Sequence, residues 1–427
     1  MKRWGLSLIL GTTLALGAFT GCATAGTSTS TSSSSIADQV YSANASSIST
    51  AVATATTSGA ALETADLFTD RDLQQVADTS SATEIAVTSG EDVSITEEGV
   101  YVLSGTAENA TITVQADDTA KVQLVLDGLS ITNESAPAIY VASADKVFVT
   151  SAAGSSNKLS VTGSFTTDAD DNVDGAIFAK DDIVLNGEGS LAIESSDNGI
   201  VGKDDVKVTG GTYAITAAGH GIQGKDSVAI AGGTFEINAQ TDAIHSENAD
   251  DTTLGYVYIA DGTFNLKAGS DGIEGVAVVQ IDGGTFSIDG AEGIEGTFVQ
   301  LNDGDITVRA SDDGINATSK STAYSVALEI NGGTIDVEMG SGDTDALDSN
   351  GALLINGGTV NITAQSAFDF DGQGQLNGGT VYVNGEQVTE LTNSMMGGPG
   401  GQGSMGSMGG KGDRSWGSSG GPQGGMR

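Results

Sequence analysis

The sequence predicts an all-β chain wound as a right-handed, single-stranded parallel β-helix whose coils hold about 22 residues. Three observations predict it: an anchor residue that returns at a near-constant interval, a Gly-Gly-Thr marker that keeps step with it, and a period-two alternation of short apolar runs with no helical period between them.

The anchors are Ile177, Ile200, Ile222, Ile244, Ile273, Ile294 and Ile315, followed in the same place by Leu347 and Phe368. Their successive spacings are 23, 22, 22, 29, 21, 21, 32 and 21 residues. A fixed period with two longer intervals is a solenoid in which two coils carry an insertion. Both insertions fall just after the anchor, near Glu247–Tyr256 and Ala317–Tyr324, so both leave from one corner. Insertions collected on one face often mark a binding face.

The second marker begins at Thr209, Ala231, Asp282, Asn331, Asn356 and Asn377, each followed by Gly-Gly-Thr. A glycine pair supplies the positive φ of a tight corner, and the threonine starts a strand such as Thr234–Ile237, with Phe235 and Ile237 on one face. Three such strands cannot bury a core alone, but stacked coils share one.

Taken in order, residues 1–22 form a secretory signal: Lys2 and Arg3, an apolar run, then small residues before Cys22. This end resembles a bacterial lipobox, which makes Cys22 the acylated residue; the alternative is a cleaved soluble signal. Residues 23–60, almost wholly Ser, Thr and Ala, read as a flexible linker. In Asp66–Val76, Thr69 and Asp72 form a capping-box-like start, which predicts a short helix capping the exposed end of the solenoid. The β-helical domain is expected over 61–391, and the Gly/Met/Ser-rich residues 392–427 as a disordered tail.

The formal net charge is −40, which argues against nucleic acid, and any polyanionic partner would need bridging cations. The lone cysteine excludes an intrachain disulfide, and no P-loop or dinucleotide fingerprint follows a strand.

The charge is not scattered. Two residues before successive anchors stand Gly175, Asn198, His220, Asp242, Asp271, Glu292, Asp313, Asp345 and Ser366. One residue after them stand Phe178, Val201, Gln223, His245, Glu274, Glu295, Asn316, Asp348 and Asp369. From Ile244 onward both columns are dominated by acids, repeated at the strand spacing of about 4.8 Å. Two carboxylates at that distance repel by about 1 kcal/mol in water and about 3.5 kcal/mol at an effective dielectric of 20. Either the columns are a solvated, anti-aggregating face, or a divalent cation turns the repulsion into attraction. Calcium suits such a set because it takes six to eight oxygens in loose geometry. The scarcity of His and absence of Cys from the repeats argue against zinc and copper. The candidate ligands are Asp242, Asp271, Glu274, Glu292, Glu295, Asp312, Asp313, Asp345, Asp348 and Asp369.

Two further columns stay open. Ala176, Gly199, Gly221, Ala243, Gly272, Gly293, Gly314, Ala346 and Ala367 form either an outward trough or a tightly packed corner. Lys180, Lys203 and Lys225 either pair with neighbouring acids or serve as the base of a calcium-assisted β-elimination.

The repeated Ser-Asp-Gly-Ile-Glu-Gly and Ser-Asp-Asp-Gly-Ile-Asn phrases, the Phe68–Leu73 segment and the Gly/Met tail together resemble the clostridial-type carbohydrate-binding domain-containing family of secreted, often lipid-anchored β-helix proteins. The resemblance covers roughly 61–391. It implies calcium held by repeat acids, with Asp271, Glu274, Glu292, Glu295, Asp312 and Asp313 matching best. It also implies non-catalytic binding of an acidic polysaccharide such as polygalacturonate at the cell surface, through a membrane anchor at Cys22. A pectate-type lyase and a structural spacer or adhesin are the alternatives.

Overall fold

In each coil the chain makes three short strands, and each strand pairs in parallel with the equivalent strand one coil away. The structure, a computed structural model, describes residues 62–166, 172–341 and 344–393. The expected signal and linker, Cys22 included, and the tail beyond Asn393 therefore lie outside the described residues.

The pairing yields three parallel sheets around one core. The anchor sheet stacks Ile139, Ile177, Ile200, Ile222, Ile244, Ile273, Ile294, Ile315, Leu347 and Phe368 in register. The second sheet carries runs such as Ile183–Gly187, Tyr256–Ile259 and Ala327–Ile330. The third carries the strands that follow each Gly-Gly corner, such as Thr212–Ala217, Thr234–Ala239 and Thr334–Met339. In the coils that begin at Asp271 and Glu292 the first two strands run on as one, Asp271–Ile281 and Glu292–Leu301.

Every anchor isoleucine is fully buried, and the third sheet alternates exposed and buried as a half-buried strand must. Inside, Tyr213, Phe235, Phe264 and Phe286 stack one coil above another, with centroids 5.3, 4.8 and 4.5 Å apart. The second glycine of each corner has the expected positive φ, for example +103° at Gly211 and +134° at Gly233. Gly262 and Gly304 do the same work behind an aspartate, at +143° and +123°, in two coils that lack the full Gly-Gly-Thr phrase. Asn302, Asn331, Asn356 and Asn377 form a side-chain amide ladder at this corner, each step 2.8 Å.

The segment before the first strand corrects one expectation. The capping-box bonds form: Thr69 N donates to Asp72 Oδ2 at 2.9 Å, and Asp72 N donates to Thr69 Oγ1 at 3.2 Å. Yet only a single turn follows, not a helix. The Asp72 carbonyl, which a continuing helix would bond to a later backbone amide, instead accepts from Thr209 Oγ1 and from Asn186 Nδ2.

The segment also does not sit on the end of the stack. It runs lengthwise along the outer face of the second sheet, against the direction of the coils. Leu62 N bonds Gln280 Oε1 at 3.1 Å, Phe68 lies 6.3 Å from Tyr258, and the Arg71 guanidinium stands 4.4 Å over Phe148. Gln280, Tyr258 and Phe148 belong to one outward column of that sheet. Asp72 is fully buried and paired with Lys146 at 3.5 Å. The segment is a strap, and it explains why second-sheet strands are buried on both faces.

The far end is closed differently. Asn384 and Gly385, both at positive φ, turn Glu386–Val388 back as an antiparallel partner of the last third-sheet strand, which removes part of an open edge.

Candidate cation site

The anchor strands place the acidic columns where they were expected, in register on successive coils. Asp271 pairs with Glu292, and Glu274 pairs with His245 below it and Glu295 above it. Glu295 pairs with Asn316, Asn316 with Asp348, and Asp348 with Asp369.

The residues between the columns point inward. A Cβ added to Gly272 would meet Ile288 Cγ2 at 2.2 Å, and one on Gly293 would meet Val308 Cγ1 at 2.4 Å. Ala176, Ala243 and Ala346 are fully buried. This column is therefore corner packing against the third sheet and not a trough.

The acids gather into two groups. The first holds Asp242, Asp271, Glu274, Glu292 and Glu295, of which four are almost wholly buried and Glu292 is half-buried. Ligand atoms of Asp242, Asp271 and Glu274 lie within 4.8 Å of one another, as do those of Asp271, Glu292 and Glu295. Burial and the charges of Asp242, Glu274 and Glu295 push Asp271 up to about 8. Burial and Glu295 push Glu292 up to about 7. Asp242 and Glu274 go the other way: burial opposes their ionisation, but His220 and His245 beside Asp242, and His245 and Lys320 beside Glu274, hold both below the usual carboxylate range.

The second group is Asp313, Asp345, Asp348 and Asp369. Burial, then repulsion from Asp313, Asp369 and Asp345, raises Asp348 to about 7. Asp313 is raised as well, by burial and by Asp312, Asp345 and Asp369. Asp312 itself is exposed and stands outside both groups.

Sequence reasoning missed one member. Lys320, from the second insertion, places its Nζ on both Glu274 Oε1 and Glu295 Oε2. The two insertions do leave from one corner, and they meet: Ser321 Oγ donates to the Thr252 carbonyl at 2.6 Å, and Tyr324 OH to that of Thr253 at 3.1 Å. Tyr256 and Tyr324 then pack on a small apolar patch of Ala277, Val278, Phe298 and Ala327. A lysine in a loop carries no periodic signal, so no column could reveal it.

The lysines that are periodic lie elsewhere. Lys180 and Lys203 stand over the rings of Tyr140 and Phe178, at 6.0 and 5.2 Å, and Lys225 pairs with Asp250 at 2.7 Å.

The five carboxylates of the first group face Lys320 and His245, too little positive charge to keep all five ionised at neutral pH. The group's donors are almost all oxygen, dense and partly buried, which fits a hard divalent cation.

The chain is similar to known proteins. The model of the carbohydrate-binding domain-containing protein family matches residues 89–343 and 290–396. The chain belongs to that family. A relative of the same description from Acetivibrio thermocellus is 41% identical over 194 residues, which is 45% of this chain and 68% of that protein. A solved structure described as a polysaccharide lyase-like protein from C. thermocellum, in a gadolinium derivative, shares 30% identity over 52% of this chain and 96% of its own, with a TM-score of 0.46.

Proposed function

We propose that the protein is a non-catalytic, calcium-dependent binder of acidic polysaccharide, of the polygalacturonate kind, held at the outer face of the cell membrane through Cys22. Membership of the carbohydrate-binding family supports the carbohydrate. The observation that supports the cation is the in-register acid columns, where burial and repulsion between neighbouring carboxylates push Asp271 up to about 8 and Glu292 and Asp348 up to about 7.

Asp242, Asp271, Glu274, Glu292 and Glu295 would hold one ion, and Asp313, Asp345, Asp348 and Asp369 another. A calcium ion with coordination positions left over accepts uronate oxygens, so one cation joins two polyanions that would otherwise repel. Neutral glycans are usually gripped by aromatic faces, whereas Tyr256 and Tyr324 here are partly spent on the corner packing.

The test is a pull-down on polygalacturonate with calcium and with EDTA. Binding that EDTA abolishes, without a rise in unsaturated-uronate absorbance, is the expected result. A rise in absorbance would make the protein a lyase, and equal binding in EDTA would remove calcium from the account.

A further inference from the structure

We propose that His220, Asp242 and His245 form a binding site for a zinc-class divalent cation, separate in chemistry from the oxygen-only cluster beside it. The site shares Asp242 and Glu274 with the acids assigned to calcium above, so the inference requires that any calcium there be held by Asp271, Glu292 and Glu295.

The chain has only two histidines in 427 residues, and the fold places them on consecutive coils. Their rings stack with centroids 4.4 Å apart at 21°. Both Nδ1 atoms face one oxygen: Asp242 Oδ2 lies 3.1 Å from that of His220 and 2.9 Å from that of His245. Glu274 Oε2 is 2.8 Å from His245 Nδ1.

These contacts are close enough for the ion pairs that hold Asp242 and Glu274 ionised, but their direction is poor for hydrogen bonds. Neither Nδ1 makes a directed hydrogen bond, although both atoms are buried and the His245 side chain is only 8% exposed. One Nδ1 can carry one N–H and cannot aim it at two carboxylates together. The spacing is instead close to that of neighbouring ligands around a shared ion. At zinc–nitrogen and zinc–oxygen bonds of about 2.0–2.2 Å, tetrahedral ligands stand about 3.3–3.5 Å apart. A modest opening of the cluster reaches that value.

The donor set makes the choice of metal. Two imidazoles with one or two carboxylates suit zinc, copper or nickel, whereas calcium takes oxygen. Asp271, Glu292 and Glu295 remain a separate group of three carboxylates on the coils above. The expectation against zinc rested on the scarcity of histidine. Scarcity along the chain is no obstacle when the two present are neighbours in space.

Zinc chloride alone is the probe, added to chelator-stripped full-length protein labelled with nitrogen-15 at histidine. The spectrum holds two imidazole systems, both of which are expected to shift together, saturate near one equivalent and stay shifted in excess calcium. Calorimetry on the His220→Gln/His245→Gln variant is expected to show zinc affinity reduced by about 100-fold or more, at least the loss seen when outer-shell partners are removed. Unmoved imidazole signals in the wild type, their return to the free position in calcium, or a double variant that binds zinc as tightly as the wild type would each overturn the proposal.

Discussion

Glu274 and Glu295 are register partners on adjacent coils, and the ammonium of Lys320 rests on both. A fixed amine thus stands where a divalent ion would otherwise relieve the same repulsion. Replacing Lys320 with Met leaves two buried carboxylates facing each other. The cation-free protein is expected to lose about 1–3 kcal/mol, allowing for the partial exposure of the lysine, while calcium affinity rises. Chemical denaturation with EDTA and calorimetry with calcium read the two effects, and an unchanged calcium affinity would detach Lys320 from the site.

The triple variant Asp271→Asn, Glu274→Gln, Glu295→Gln removes charge with little change of shape. We expect calcium binding to fall while the β-solenoid survives, with far-UV circular dichroism unchanged. If calorimetry still gave the full calcium heat, these three acids would not be the calcium site.

The acids also set a pH dependence. Asp271, Glu292 and Asp348 have folded-state values of about 8, 7 and 7, above those of the unfolded chain. The folded state therefore binds more protons than the unfolded one across this range, and stability falls as pH rises from about 4 toward 8. His245, raised to about 9, acts in the same direction: its contribution is whole below about 6.5 and is lost as pH climbs through 9. In EDTA the melting temperature is expected to drop by several degrees between pH 5 and 8, and saturating calcium should flatten the slope. A stability that rises with pH in EDTA would contradict the assignment.

Corner glycines divide into two kinds. Gly272→Ala drives a methyl into Ile288 and the Gly293 carbonyl, at an expected cost of about 3 kcal/mol or more. Gly232→Ala meets open space and is expected to change stability by less than about 0.5 kcal/mol. Urea denaturation of the two variants makes the comparison.

The coil, its period and the acidic register were legible because stacking repeats each position once per turn, so a structural column is also a sequence column. Ile273, Ile294 and Ile315 announce themselves in this way. What repetition does not encode was not legible. Lys320 reaches its carboxylates from an insertion, and the strap finds Phe148, Tyr258 and Gln280 through contacts made once each. The expected helix at Thr69–Val76 failed for the same reason: its local signal was real, but Thr209 and Asn186, far along the chain, took the carbonyl that the next turn needed.

The strap has a mechanical consequence. A stack whose coils touch only their neighbours can fray from its first coil inward, one rung at a time. Here Leu62 is tied at Gln280 and Gln75 at Gly187 and Thr209, so a single short segment spans several rungs and makes their opening a joint event. A pull on the chain before Leu62 is therefore delivered at the coil of Gln280, beside the acidic columns, and must shear the strap lengthwise before it reaches the first rung.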